Sequence, residues 1–332
     1  MAKYNVYGMG NALLDIEFKV TPDILENLSI DKGVMTLIEA DRQQQLISEL
    51  REYIGEKSGG GSAANTMFAI SQFGGKGFYS CKVANDEMGQ SYYQDLVNAG
   101  IDTNLQYHDP EPGITGQCLV FVTPDADRTM NTHLGISAEF SEKELVPEAI
   151  KDAEYTYIEG YLVADPNGKS AAIKGRETAH NAGKKVALSL SDLNMAKFFK
   201  EGFMEIIGDG IDLIFSNETE ALTLAETEDL GKAADYLKTL SNAFAITRGP
   251  KGALVYDGEN LLEIAPHQVK AVDTVGAGDM FAGAFLYGVT NGMNYADAGK
   301  LGSAASARLV TSYGPRLEPQ EAKEVLEEVK AA

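Results

Sequence analysis

The sequence predicts an α/β fold built on a doubly wound, mostly parallel central sheet that is flanked by helices. Short apolar runs that suit buried strands alternate along the chain with amphipathic segments that suit helices. This alternation is typical of parallel sheets, because each helix crosses one face of the sheet to join two strands. The 332 residues, of which 44% are hydrophobic, suffice for one large core. We therefore expect a single α/β domain over residues 1–332.

The predicted strands and helices follow one another in the order that βαβ units require. Apolar runs predict strands at 4–8, 155–158, 186–190, 213–215, 243–247 and 253–256. Apolar residues at helical spacing predict crossover helices at 170–182, 218–225 and 230–240. No internal repeat or low-complexity linker interrupts this order.

Two insertions depart from the alternation. Residues 16–37 and 101–134 are rich in threonine, valine and turn-forming residues, and their apolar residues alternate only in patches. We expect these segments to form a small β-rich lid packed over one edge of the central sheet.

Composition limits the partners and the location of the protein. The formal net charge of −21 disfavours nucleic acid and anionic membranes, which repel such a chain at long range. The two cysteines, Cys81 and Cys118, form no C-x-x-C motif, and the four histidines are scattered, so neither a disulfide framework nor a histidine metal site is expected. The chain shows no signal-peptide pattern and no 18-residue apolar run. These features predict a cytoplasmic protein whose partners are small molecules.

The most informative segment is a glycine-rich turn that runs directly into an apolar helical stretch. Residues 273–279 read DTVGAGD, and residues 280–286 read MFAGAFL. Gly276 and Gly278 allow backbone amides to approach a ligand, and the unpaired amides of a first helical turn favour negative charge. Asp279 then stands beside this anion site as a base for an attacking hydroxyl, which is what phosphoryl transfer requires. The alternative is that Asp279 only caps the helix and the glycines only shape the turn.

Other phosphate-binding motifs are incomplete. Residues 168–170 read Gly-Lys-Ser, but the first glycine of a P-loop would fall on Val163. The third glycine of a dinucleotide fingerprint that starts at Gly8 would fall on Leu13. The H-R-D and D-F-G elements of protein kinases are missing.

The chain resembles the ribokinase-like (PfkB) family of sugar and nucleoside kinases. Residues 273–279 with the following helix are similar to the C-terminal signature of that family, and residues 59–75 are similar to its N-terminal signature. Residues 217–220 (NETE) and 247–252 (TRGPKG) match its remaining landmarks in the same order. Residues 10–16, 157–161 and 188–191 resemble the adenosine kinase branch of the family.

The resemblance implies an activity. It implies ATP-dependent phosphorylation of the 5′-hydroxyl of a purine nucleoside, adenosine to AMP, with Mg²⁺ bound and with a monovalent cation such as K⁺ near Asp273. Two alternatives stay open: a family kinase of a free sugar such as ribose or fructose, or of inosine or guanosine, and a non-catalytic nucleoside-binding protein. The sequence is compatible with a monomer and with a dimer.

The resemblance also implies the roles of individual residues. The catalytic set is Asp279 as base, the amide-lined anion hole of Gly276, Ala277 and Gly278, and Arg128 in the lid. The nucleoside set is Asn11, Leu13, Asp15, Gly60, Gly61, Ser62, Asn65, Phe121, Leu134 and Tyr161, with Met35 and Cys118 as further base contacts. The ATP set is Asn217, Glu220, Thr247, Gly249, Gly252, Asp273 and Thr274, of which Asn217 and Glu220 would hold Mg²⁺ through water.

Each of these roles has a structural alternative. Asp15 and Asn65 offer a carboxylate and an amide to the two hydroxyls of a ribose, and Gly61 lets the sugar lie against backbone. Asp15 can instead close a turn, and Asn217 can instead cap a helix. Leu162 stands where the eukaryotic adenosine kinases carry a phenylalanine, which leaves the base preference open.

Overall fold

The computed structural model describes residues 2–107, 109–124 and 128–331, apart from the side chains of Glu56 and Arg128. These residues form fourteen strands and thirteen α-helices. The strands are β1 (Tyr4–Met9), β2 (Leu13–Lys19), β3 (Met35–Leu37), β4 (Ile54–Gly60), β5 (Gly77–Ser80), β6 (Asp102–Thr103), β7 (Gly116–Val122), β8 (Arg128–His133), β9 (Ala153–Ile158), β10 (Lys185–Ser189), β11 (Ile211–Asn217), β12 (Ser241–Thr247), β13 (Ala253–Tyr256) and β14 (Leu261–Ile264). The helices are α1 (Pro22–Asn27), α2 (Ala40–Glu49), α3 (Ser62–Gln72), α4 (Glu87–Asn98), α5 (Pro147–Lys151), α6 (Pro166–Asn181), α7 (Leu193–Phe198), α8 (Lys200–Ile207), α9 (Glu218–Leu224), α10 (Leu230–Lys238), α11 (Ala277–Thr290), α12 (Tyr295–Leu309) and α13 (Pro319–Ala331).

The main sheet has nine strands in the order β14-β13-β12-β11-β10-β9-β1-β5-β6. The seven strands from β12 to β6 pair in parallel, and β13 and β14 add an antiparallel edge. Successive side chains point to opposite faces, so Ala243 and Ala245 of β12 join one hydrophobic core while Phe244 and Ile246 join the other. Helices cover both faces, which confirms the predicted doubly wound fold.

A second sheet of five strands, in the order β3-β8-β7-β2-β4, forms the lid. Ile16, Phe18, Leu119 and Phe121 on one of its faces pack with Leu25 and Leu46 of helices α1 and α2 into a core separate from those of the main sheet. The opposite face of the lid sheet turns towards the main sheet.

The lid boundaries differ from those predicted. Strand β4 lies outside the predicted insertions, whereas β6, inside the second insertion, pairs with β5 of the main sheet. Residues 54–60 include three glycines and do not favour a strand on their own, and it is pairing with β2 that makes them one.

Helices α3 and α11 lie side by side, and a glycine allows their close approach. A Cβ added to Gly283 of α11 would lie 2.5 Å from the Cβ of Ala69 and 2.6 Å from the carbonyl oxygen of Thr66. This contact brings together the first turns of the two helices, both of which follow glycine-rich segments. Within the described residues, no helix is both long and apolar enough to span a membrane.

Candidate active site

A cavity of about 400 Å³ lies between the lid and the carboxyl edge of the main sheet. Ligands bind at this edge in open parallel sheets, because the loops that leave the strands converge there. The cavity collects sixteen of the predicted site residues: Asn11, Leu13, Asp15, Gly61, Ser62, Asn65, Leu134, Tyr161, Asn217, Glu220, Thr247, Thr274, Gly276, Ala277, Gly278 and Asp279. Met35 and Cys118 line it as well.

Asp279 lies in the first turn of α11 and is held by the neighbouring helix α3. The hydroxyl of Ser62 donates to its Oδ1 at 2.6 Å, and the amide Nδ2 of Asn65 donates to its Oδ2 at 3.5 Å. Burial raises the pKa of Asp279 to about 6, and the two hydrogen bonds act in the opposite direction. At neutral pH the group is therefore mainly a carboxylate in a desolvated setting, which suits a proton acceptor.

Gly276 and Gly278, the two glycines before Asp279, lie in different structural surroundings. Gly276 has a φ of 73°, and a Cβ there would lie 2.7 Å from the Cβ of Pro315, so the fold itself requires glycine. Gly278 has ordinary helical geometry, and a Cβ there would meet no protein atom within 4 Å. The space beside the Gly278 Cα is thus open, and Gly278 lines the cavity. The Ala277 amide donates to the carbonyl oxygen of Thr274 at 3.3 Å, whereas the amides of Gly278 and Asp279 make no backbone hydrogen bond within the described residues and lie at the positive end of the helix dipole.

Glu159, which follows β9, is a cavity residue that sequence reasoning did not select. Its carboxylate is 1% exposed and accepts hydrogen bonds from the amides of Asn11 at 3.1 Å and Ala63 at 2.8 Å. Burial raises the pKa of Glu159 to about 7, against the effect of those amides. Its Oε2 would lie 2.3 Å from a Cβ on Gly10. Glu159 therefore ties the loop after β1 to the start of α3. The sequence signals were a lone glutamate at the end of an apolar strand and its place in the segment 157–161 that resembles the adenosine kinase branch.

Arg316, beyond α12, is a second residue that sequence reasoning did not select. Its Nε donates to Oδ1 of Asn65 at 3.3 Å, and its Nη1 forms an ion pair with Asp95 at 2.7 Å. No local pattern marks it, because Asn65 lies 251 positions away along the chain.

Asn217 and Glu220 form a capping box at the start of α9. The backbone amide and Nδ2 of Asn217 donate to the two carboxylate oxygens of Glu220 at 2.9 and 2.7 Å, and the Glu220 amide donates to Oδ1 of Asn217 at 2.8 Å. Glu220 is 5% exposed, and burial raises its pKa to about 7. These polar atoms already form hydrogen bonds with each other, which disfavours direct coordination of a metal ion. A metal ion bound here would therefore contact the pair through water. No cluster of three or more carboxylate, thiol or imidazole groups suited to a metal occurs among the described residues.

Phe121 does not line the cavity, which corrects the expectation that it contacts a base. It is fully buried in the lid core and its ring lies 5.5 Å from that of Phe18. Side chains alternate along β7, so Cys118 faces the cavity and Phe121, three positions later, faces the opposite side.

Three further glycines also lie outside the cavity lining. Gly60 leaves room for the carboxylate of Asp15, which a Cβ would approach to 2.6 Å. Gly252 has a φ of 87° beside the backbone of Ile264, and Gly249 has a φ of 54° in the same turn between β12 and β13. The expected contacts of Gly60 with the nucleoside and of Gly249 and Gly252 with ATP stay predictions.

Asp273 is the first residue of the glycine-rich turn 273–279, and Arg128 is the first residue of β8. The Asp273 carboxylate is 5% exposed and accepts from the amides of Val275 at 3.1 Å and Gly314 at 2.8 Å, which joins the glycine-rich turn to the segment after α12. The monovalent cation expected near Asp273 stays a prediction. The side chain of Arg128 lies outside the described part of the structure, so its expected contact with the transferred phosphate stays a prediction.

The lid contributes an apolar surface to the cavity. Met35, Leu37, Cys118, Met130 and Leu134 line it from the lid sheet and the segment after it. Among the lining residues whose side chains are described, four are acidic and none is a lysine, arginine or histidine. The cavity thus combines a hydrogen-bonding floor that carries three of the four acidic residues with a mostly apolar lid surface that carries the fourth, Asp15 of β2.

The raised pKa of Asp279 predicts that Asp279→Asn stabilises the protein at neutral pH. The folded state raises the pKa from 3.8 to about 6, so it binds more protons than the unfolded state in that window, and its stability falls as pH rises through it. Asparagine does not titrate and avoids this loss. We expect a gain in unfolding free energy on the order of 2 kcal/mol near pH 7 that shrinks towards pH 4, measured by denaturant unfolding.

The matched control for this stability prediction is Asp235→Asn. Asp235 is an exposed partner of Lys238 on α10, so the substitution relieves no burial of charge. Equal pH dependence of wild-type protein and Asp279→Asn would contradict the prediction.

Comparison with known proteins places the whole chain among kinases. Residues 25–322 match the family described as pfkB family carbohydrate kinase. An adenosine kinase of Dictyostelium discoideum is 28% identical over 97% of this chain and 99% of that protein, and a 5-dehydro-2-deoxygluconokinase of Clostridium botulinum is 26% identical over 82% and 84%. The crystal structure of adenosine kinase from Sinorhizobium meliloti superposes with a TM-score of 0.89 at 33% identity and covers 100% of both chains. These relatives are named for substrates of two classes, a nucleoside and a sugar derivative.

Proposed function

The chain belongs to the pfkB carbohydrate kinase family, and we propose that it transfers the γ-phosphate of ATP to the 5′-hydroxyl of a purine nucleoside, adenosine to AMP. The observation that carries this proposal is the make-up of the cavity. One end holds Asp279 beside the first-turn amides of α11, and the other is a mostly apolar lid surface that includes Met35, Leu37, Cys118, Met130 and Leu134. A free sugar would leave that surface facing water, whereas a purine would bury it.

In the proposed reaction Asp279 takes the proton of the 5′-hydroxyl as that oxygen attacks the γ-phosphorus. The bond from this phosphorus to the oxygen that bridges the β- and γ-phosphates breaks, and ADP leaves. The amides of Ala277 and Gly278 hold the negative charge that develops on the transferred group. Ser62 and Asn65 keep the carboxylate of Asp279 aimed at the hydroxyl through the hydrogen bonds that they donate to it.

The ribose would lie where the floor of the cavity meets the lid, because Asp15 belongs to the lid strand β2 and Asn65 to helix α3. Asp15 and Asn65 line this region and carry the carboxylate and amide that two vicinal hydroxyls require. Gly61 has a φ of 96°, and a Cβ there would lie 2.3 Å from the carbonyl oxygen of Asn11, so the fold itself requires glycine at this position. The proposal places the sugar against its bare backbone. The lid closes the apolar side, and excluding water there protects the phosphate from hydrolysis.

Mg²⁺ fits the region around Asn217 and Glu220. A buried carboxylate with an amide oxygen beside it matches the oxygen ligands that this ion prefers, with water molecules between. The ion would neutralise charge on the ATP phosphates, which an acidic cavity cannot do with its own side chains. The same need for positive charge favours Arg128 of the lid as a phosphate contact.

A kinase of a sugar acid is the strongest rival, because one relative acts on 5-dehydro-2-deoxygluconate. Such a substrate carries a carboxylate and would have to lie beside Asp15, Glu159 and Glu220. No described side chain of the cavity lining offers it a cation. A substrate carboxylate placed beside acidic groups with no described cation to pair with it is disfavoured, which supports the nucleoside.

The proposal predicts the outcome of a substrate panel. The purified protein is assayed for ADP formation from ATP with adenosine, inosine, guanosine, ribose, fructose and 5-dehydro-2-deoxygluconate. We expect the highest kcat/KM with adenosine, and we expect phosphorus NMR to show a 5′-monophosphate. Asp279→Asn, prepared in parallel, controls for contaminating kinases. Turnover confined to a sugar would overturn the nucleoside assignment, and calorimetric binding of adenosine without turnover on any compound would support a binding protein instead.

A further inference from the structure

We propose that Arg316 is a positioning residue, which fixes the side-chain amide of Asn65 so that this amide donates to Asp279. The inference rests on the proposed function, in which Asp279 is the base. Arg316 lies in the segment between α12 and α13, outside the cavity lining and outside every motif that the sequence suggested.

The guanidinium group of Arg316 contacts three other residues in addition to Asn65. Its Nη1 pairs with Asp95 of α4 at 2.7 Å, and its Nη2 donates to the carbonyl oxygen of Gly59 at 2.5 Å. Its central carbon lies 3.3 Å from the centre of the Phe68 ring, so the planar group stacks on that ring. The side chain is 16% exposed. Contacts on three separate elements therefore leave the guanidinium one orientation.

In that orientation Nε of Arg316 donates to Oδ1 of Asn65 at 3.3 Å. An arginine has donors only, whereas the asparagine amide has an acceptor end and a donor end. The acceptor end of Asn65 must face Arg316, and the donor end, Nδ2, then faces Oδ2 of Asp279 at 3.5 Å. Turning the amide over would place its oxygen against the Asp279 carboxylate and its NH₂ against a guanidinium, and both contacts repel.

The direction of this amide matters because, among the described side chains, only Ser62 and Asn65 donate to Asp279, one to each carboxylate oxygen. Burial raises the pKa of Asp279, and the hydrogen bonds from Ser62 and Asn65 both lower it. Among the described side chains, the titratable groups that interact with Asp279 across the site include Glu159 after β9, Glu220 of α9, Tyr157 of β9 and Tyr161, and none of these four can carry a positive charge. Without Arg316 the amide of Asn65 rotates freely, and the carboxylate loses the orientation and part of the stabilisation that a base requires.

The test is a double-mutant cycle in which kcat is measured as a function of pH for each variant. Wild-type protein, Arg316→Gln, Asn65→Ala and the double variant are assayed with ATP and the best substrate of the panel, and kcat is measured across the acidic limb. We expect Arg316→Gln to lower kcat at neutral pH about tenfold and to shift the acidic limb of the kcat profile to higher pH. In the Asn65→Ala background the same change should have almost no further effect, because Arg316 acts through Asn65. Arg316→Lys, which keeps the charge but loses the planar fork, should fall in between.

The control is Arg308→Gln, on α12, because Arg308 also pairs with carboxylates, those of Glu324 and Glu328, at the surface. It should leave kcat and the pH profile unchanged. If Arg316→Gln does not fold, Arg316→Lys takes its place in the cycle. An equal fall in kcat on changing Arg316 with Asn65 present and with Asn65 removed would overturn the inference, as would an unmoved acidic limb. Full activity of Asp279→Asn would instead overturn the proposed function itself.

Discussion

Replacing Asp279 by asparagine is expected to lower kcat by about 10³-fold while leaving the KM for both substrates within a few-fold of wild type. Asparagine has nearly the same shape and still accepts the hydrogen bond that Ser62 donates at 2.6 Å. What it cannot do is take a proton from the attacking hydroxyl. The loss should therefore fall on the chemical step. A single-turnover measurement of product formation, with the enzyme in excess over the nucleoside, is the direct test.

A matched variant separates the base from its surroundings. Ser62→Ala removes a hydrogen bond to Asp279 but leaves the carboxylate in place, so we expect about a tenfold loss in kcat and an acidic limb moved upwards, since that hydrogen bond lowers the pKa. Equal losses in Asp279→Asn and Ser62→Ala would indicate that the carboxylate orders the site without taking the proton. The expected stabilisation of Asp279→Asn near pH 7 guards against reading a folding defect as a chemical one.

Gly278→Ala is expected to reduce kcat about 10²-fold with no measurable loss of stability. A Cβ at this position meets no protein atom within 4 Å, and alanine is a better helix former than glycine. The added methyl group points into the cavity space that the transferred phosphate is proposed to occupy, and it interferes with the amides there. Paired measurements of kcat and melting temperature test this.

Gly276→Ala is the comparison for that variant, because its cost has a different origin. The φ of 73° and the contact with Pro315 at 2.7 Å strain any side chain, so both stability and activity should fall. If Gly278→Ala instead keeps full activity, the open space beside its Cα is not the phosphate site. A melting temperature lowered equally in both variants would show that Gly278 serves the fold.

The sequence alone was sufficient for the fold class and for the floor of the candidate site. Apolar runs alternating with helical segments predicted the doubly wound sheet, because hydrophobic periodicity is a local property of the chain. The segments at 59–65 and 273–279 are likewise local, since each contains its own turn, helix start and polar side chains. Parallel strands bring their carboxyl ends to one edge, so the cavity between these segments followed from the fold.

Tertiary structure decided what depends on pairing between distant parts of the chain. The position of Phe121 in the lid core follows from the register of β7 against its neighbours, where a shift of one residue exchanges the two faces. Strand β4 exists because β2 pairs with it, and its glycines give no local signal.

Glu159 and Arg316 show the same limit at the site. Glu159 accepts a hydrogen bond from Ala63, and Arg316 donates one to Asn65, and both partners lie far away along the chain. Whether such a hydrogen bond forms depends on the directions of its donor and acceptor, which folding sets. A sequence read segment by segment therefore identifies the groups that this cavity can use for chemistry. Which groups hold them in place is decided by long-range packing, because burial, orientation and pKa are properties of the assembled surroundings and of no single segment.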